Sequence, residues 1–200
     1  ECFQTMSASG IALLLPAIRS DLGLSFTQSG SLGAANIFSY ALMQIPAGYL
    51  ADRYGLKQTY VIGGFGATVL LLTFGLVPNY GLAFLNQTLA GVFHAFLFQS
   101  GLALLASRFG AERRATAMGL SLVGIFSGQL LINGTAPWLA EHFNWRFPFM
   151  AFGLAGILSS CAYLWYGRGP AGVEAARQVG VLDALRFFRD PFMLVCGLIQ

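Results

Sequence analysis

Apolar runs of membrane-crossing length alternate along the chain with short charged interruptions. Stretches free of Asp, Glu, Lys and Arg cover residues 2–18, 29–50, 60–77, 82–107, 117–139 and 147–166, and a seventh opens near Phe192 and runs to Gln200. A helix needs about twenty apolar residues to cross the hydrocarbon core of a bilayer. The pattern therefore predicts an all-α integral membrane protein with six spanning helices and the start of a seventh. The links at 19–28, 51–59, 78–81, 108–116 and 140–146 are short enough to make consecutive spans antiparallel neighbours. Only 167–191 is long, with Gly, Pro and charge first and a short amphipathic piece at 181–189. The expected division is a six-helix bundle over 1–166, a cytoplasmic linker over 167–191, and the beginning of a seventh helix over 192–200.

Composition agrees with this reading. Charged residues are 10% of the chain and hydrophobic ones 56%, against about a quarter charged in soluble domains. A net charge of +3, scattered along the chain, gives no footprint for nucleic acid. Cys2, Cys161 and Cys196 stand singly in apolar sequence, with neither metal spacing nor a disulfide framework. No basic segment precedes the first apolar run, so it does not read as a cleaved signal peptide. Because the chain opens on Glu1 and ends inside an apolar run, it is expected to be a fragment.

The bases set an orientation. Arg53, Lys57, Arg108, Arg113, Arg114, Arg168, Arg177, Arg186 and Arg189 fall in alternate links, whereas the other links hold only Arg19 and Arg146. Lys and Arg accumulate on the cytoplasmic side. The N-terminus is accordingly expected in the cytoplasm of a multi-pass protein of the cytoplasmic membrane.

The most charged turn follows span two, where Gly48, Asp52, Arg53, Gly55 and Lys57 lie within ten residues. Gly48 allows close helix approach, and Gly55 permits a tight reversal. Asp52 stands where it can face a helix N-terminus, whose partial positive charge favours an acid. A weak internal repeat relates 47–55 to 136–144, with Ala47/Ala136, Leu50/Leu139 and Ala51/Ala140 identical and Asp52/Glu141 alike. At the same offset Gln44 meets Asn133. Three spans separate the copies, the pattern of a 3+3 inverted repeat, a construction used in many secondary transporters.

At residues 48–57 the chain resembles the major facilitator superfamily, whose signature between spans two and three reads roughly G-x-L-A-D-R-x-G-x-K/R. Asp21-Leu22-Gly23-Leu24-Ser25 is similar to the family's first external link, and Asn144-Trp145-Arg146 to its G-W-R, with Asn for Gly. The resemblance implies the N-terminal half of a two-half transporter, a bundle of 3+3 inverted repeats truncated at the start of helix seven. It also implies that the signature contacts the missing C-terminal six-helix half and stabilises the outward-open state. Other family features are altered. Gln87 stands where many members carry an intramembrane Arg four residues before Gly91, and residues 128–137 keep only the first Gly of the antiporter motif. The wording of span two is similar to branches that carry organic anions and sugar phosphates, yet Ala8 stands where those branches place an Arg.

Polar groups inside spans are costly and are functional candidates by default. His94 is the one His, Asp, Glu, Lys or Arg within spans two to six. It reads either as a proton or substrate site or as a neutral ring bonded to a carbonyl, and it shares a helical face with Gln87. Asn36, Tyr40 and Gln44 form a stripe in span two, and Gln129 and Asn133 a looser one in span five. Each stripe is open to two readings, lining a path or joining helices. Among them the repeat-related amides Gln44 and Asn133 are the leading pair.

The expected function is a secondary active transporter, with no enzymatic activity and no cofactor or metal. It would move a small solute, an organic anion included, by alternating access through the lipid bilayer in symport with a proton or ion. The alternatives are an efflux antiporter and, more remotely, a non-transporting receptor or scaffold. A membrane enzyme would need an intramembrane cluster of His, Asp or Glu, and spans two to six hold one His and no acid.

Overall fold

The computed structural model describes residues 6–166; the expected linker at 167–191 and the start of a seventh span at 192–200 lie outside the described residues. Every described element is helical. A π-helical turn, Met6–Gly10, leads into α1 (Ile11–Leu22), followed by α2 (Phe26–Tyr54), α3 (Leu56–Phe74), α4 (Tyr80–Arg108), α5 (Ala111–His142) and α6 (Arg146–Tyr166).

The helices reach further than the apolar runs, and the links shrink accordingly. One residue, Gly55, separates α2 from α3, and its φ of 99° is a conformation that favours glycine. The charged signature is therefore mostly the last turns of α2 rather than a loop. Gly23, at φ 61°, closes α1, and a Ser25–Gln28 capping box opens α2 two residues later. Asn79 caps α4 by accepting from the backbone N–H of Leu82. Local turn chemistry thus sets each reversal, and the charges sit on helix ends.

Cross-helix contacts fix the directions. Ser31, Asn36 and Gln44 of α2 meet Tyr80, Gln87 and Gln99 of α4 in rising order, so these two helices run parallel. Contacts of α3 with α4 (Gly66 with Phe93, Gly63 with Leu97) and with α6 (Gly75 with Met150, Tyr60 with Tyr163) run in opposite order, so those pairs are antiparallel. The bundle has two ends. The Asp21 end holds Arg19 and Arg146, and the Asp52 end holds Arg53, Lys57, Arg108, Arg113 and Arg114.

The broad interfaces are α2–α4, α3–α4 and α3–α6. Small residues bring the backbones together, as expected where lipid removes the hydrophobic drive for helix association. A methyl group at Gly63 would lie 2.6 Å from the Leu97 nitrogen, and one at Gly153 2.6 Å from the Leu72 nitrogen. The aromatic core is at the Asp21 end, where Phe74, Trp145 and Phe149 are buried against one another beside Ile18 and Leu32.

Among the described residues, α4, α5 and α6 have the length and mean hydropathy of a membrane span by composition alone. Although α2 matches α4 at 29 residues, its polar stripe dilutes its hydropathy. Helix α5 stands apart: 11% of its most apolar window is buried, against 39% for α4, leaving Leu122, Val123, Phe126, Leu130 and Leu131 exposed.

Candidate functional site

The polar stripe of α2 lies in its seam with α4. Near the Asp21 end the Ser31 and Tyr80 hydroxyls share a 2.8 Å hydrogen bond. In mid-bundle Asn36 donates from Nδ2 to Gln87 Oε1 at 3.2 Å and to the Gln87 carbonyl at 3.3 Å. Gly91 sits against Ser39, Asn36 and the Tyr40 backbone. Tyr40 meets Phe98 edge-on with centroids 6.4 Å apart, and Gln99 donates to Gln44.

Gln87, with 1% of its surface exposed, is the centre of this network. Its Oε1 also accepts from Ser7 Oγ at 3.4 Å, and its Nε2 donates to Asn86 Oδ1 at 3.3 Å. Asn86 in turn donates to the Leu70 carbonyl and to Thr73 Oγ1, each at 3.0 Å. One chain of amides thus ties the π-turn, α2, α3 and α4 together. Between the two readings of the stripe, this arrangement favours joining helices for Asn36, Gln44 and Gln87, whose polar groups already have protein partners.

His94 differs. It lies one turn from Gly91 and two from Gln87, and its buried Nε2 has no hydrogen-bond partner among the described residues. An imidazole nitrogen in that condition can take a proton or accept from a ligand. Gln129 and Asn133 bond each other at 3.0 Å along α5, Gln129 half-buried and Asn133 exposed. Of the repeat-related amides, Gln44 accepts from Gln99 of α4 and Asn133 accepts from Gln129 within α5.

At the elbow between α2 and α3, Asp52 is exposed and pairs with no described residue. It occupies the last turn of α2, where the helix dipole opposes an acid. Arg53 leans on its own helix, reaching Tyr49 Oη at 3.4 Å and lying 5.5 Å from the Tyr54 ring. No described helix approaches Gly48.

A second polar centre was carried in the sequence only as motif wording. At the Asp21 end, Arg146 Nη2 donates to Asp21 Oδ2 at 2.8 Å, while its Nη1 donates to the carbonyls of Val77 at 2.8 Å and Gly75 at 3.3 Å. Trp145 Nε1 donates to the same Asp21 oxygen at 3.1 Å, and the Arg146 guanidinium stands 4.5 Å from the Trp145 ring. Hydrogen bonds from Arg146 and then Trp145 hold the Asp21 carboxyl below its ordinary pKa. The stability Asp21 adds is therefore full above the ordinary aspartate value and is lost only as pH falls through the lower folded one. The D-L-G-L-S and N-W-R wordings were the available signal; their meeting was not.

Among the described residues, six helices form a bundle with most bases segregated to one end and a charged glycine elbow between α2 and α3, the build of a polytopic helical membrane protein. The profile of the Major Facilitator Superfamily matches residues 1–200, and the chain belongs to that family. It is 28% identical over 158 residues to a D-galactonate transporter of Escherichia coli, covering 79% of this chain and 36% of that protein. It is 32% identical over 164 residues to the multi-drug resistance efflux pump PmrA of Streptococcus pneumoniae, covering 78% of this chain and 41% of that one. Against the tetracenomycin C resistance and export protein of Streptomyces glaucescens it is 28% identical over 195 residues, 95% of this chain and 35% of that protein. The fold is similar to the crystal structure of a bacterial homologue of the human lysosomal transporter Spinster in an inward-facing, occupied conformation. The TM-score is 0.72 at 19% identity, over 90% of this chain and 45% of that one. The chain thus spans less than half the length of these relatives. Their family is one of non-enzymatic transport proteins.

Proposed function

We propose that the chain supplies the N-terminal six-span half of a secondary transporter of the cytoplasmic membrane, which moves a small organic solute by alternating access in symport with a proton or ion. The observation that carries this reading is the elbow of a family member whose Asp52 is exposed, with no partner among the described residues, at a helix end that disfavours it. A helix N-terminus in the second six-span half would answer that acid, in the state where the two halves close at this end. The Asp52 end, with its five described bases, then faces the cytoplasm.

For the solute, the names of two relatives support sugar acids: the D-galactonate transporter and a probable galactarate/D-glucarate transporter of Bacillus subtilis, 27% identical over 154 residues. No described span carries a Lys or Arg in its interior, so a cationic partner for the solute belongs to the other half. His94 is the coupling candidate of this half, because its Nε2 alone lacks a partner among the buried side-chain atoms described. The second reading, efflux antiport, draws on the two export proteins matched at 32% and 28% identity.

The test is uptake of D-galactonate by the full-length protein in proteoliposomes with an imposed proton gradient, beside extrusion of a cationic dye. Gradient-driven galactonate accumulation is expected, with loss of uptake in Asp52→Asn at an unchanged level of inserted protein. Wild-type-like uptake by that variant overturns the role given to the elbow. Dye extrusion without galactonate uptake selects the efflux reading instead.

A further inference from the structure

Helix α1 is held very differently at its two ends. At the Asp21 end, beside the apolar packing of Ile18, its polar link is a single carboxylate oxygen, Asp21 Oδ2, which accepts from Arg146 at 2.8 Å and from Trp145 at 3.1 Å. The same guanidinium caps α3 by binding the carbonyls of Gly75 and Val77, just past its last turn. Cations at helix C-termini are favourable, because they answer carbonyls that have no helical partner. Trp145 is 4% exposed and packs on Phe74 of α3 and Phe149 of α6, so the platform presenting these donors is rigid.

At its other end the π-helical turn, Met6–Gly10, reaches α4 through Ser7 Oγ to Gln87 Oε1 at 3.4 Å, near the limit of a hydrogen bond. Charge-assisted bonds are roughly twice as strong as neutral ones. The broader contacts of α1 go to α2 and α5, and none of comparable extent goes to α3 or α6. The Asp21 oxygen is therefore the polar strap of α1 to α6 and, through Arg146, to the end of α3, whereas the π-turn is held by packing on α5, α6 and α2.

We propose that Trp145 and Arg146 clasp Asp21 so that α1, α3 and α6 are positioned as one unit at that end of the bundle. Asp21, Trp145 and Arg146 are positioning residues in this scheme and touch no solute. The clasp joins α1 and the end of α3 to α6, so it would carry α1 along with α6 in any rigid-body motion of this half. It stands independently of which solute is moved and in which direction.

The test uses double electron–electron resonance on the full-length protein with its native cysteines replaced. Spin labels at Ser20→Cys and Leu154→Cys report α1 against α6, and labels at Leu76→Cys and Leu154→Cys report α3 against α6. The parent is expected to show one distance population for each pair. Asp21→Asn should add a longer population to the α1–α6 distance and leave α3–α6 unchanged, since Arg146 keeps its two carbonyls. Arg146→Gln should disturb both distances. A parent-like α1–α6 distribution in Asp21→Asn overturns the clasp. Broadening of both pairs in that variant overturns it as well, because the effect would then be general loosening rather than release of α1. Neither readout depends on transport, so the clasp can fail while the transporter reading survives.

Discussion

A buried amide that fills its hydrogen bonds joins membrane helices, whereas one that loses a partner keeps only its desolvation cost. Gln87 serves Ser7, Asn36 and Asn86 at once, so Gln87→Leu removes a side-chain bond from each of them, Asn36 keeping its bond to the residue-87 carbonyl. We expect that variant to lower the stability of the detergent-solubilised full-length protein by about 1–3 kcal/mol, read as thermal unfolding. Gln129→Leu removes a bond within α5 on a half-buried side chain and should fall within about 0.5 kcal/mol of the parent. His94 belongs to a third kind, since its Nε2 serves no described neighbour. His94→Ala is expected to change the pH profile of uptake, and an unchanged profile would make the ring structural. The residue types at 36, 44, 87 and 94 marked all of them as candidates; which had partners depended on the facing helix.

At the scale of elements, the seam of α2 with α4 depends on Gly91 having no side chain. A β-carbon there would collide with the Asn36 carbonyl, Ser39 Oγ and the Tyr40 nitrogen, and backbone cannot step aside as a flexible side chain does. Gly91→Val should separate the two helices at a cost of about 1–3 kcal/mol or more, seen as reduced yield of folded protein in the membrane. Gly119→Ala, on α5, is the control, because a β-carbon there meets no described atom within 4 Å. What separates them is that α4 is covered by α2 and α3, while α5 keeps an uncovered apolar face. The helices themselves were legible, but their ends were not. Counting apolar residues stops at the first charge, whereas capping by Ser25, Asn79 and Gly55 carries the helices through it.

For the molecule as a whole, the proposed orientation makes a direct prediction. Single cysteines introduced at Gly110, beside the bases of the Asp52 end, should react with an impermeant maleimide only after the membrane is opened. Cysteines at Gly23, at the Asp21 end, should react in intact cells. The reverse labelling would invert the topology and place the elbow outside.

Span number, alternation of direction, segregation of bases and the Gly55 elbow followed from the sequence by itself, because each rests on local quantities: apolar length, charge and the backbone freedom of glycine. Tertiary structure alone decided which polar residues are shared between helices. Asp21 meets Trp145 and Arg146 across 124 and 125 positions, and Asn36 meets Gln87 across 51. Such partners depend on the rotation of each helix about its own axis, set by how Gly63, Gly91 and Gly153 let backbones approach. No one-dimensional pattern contains that angle.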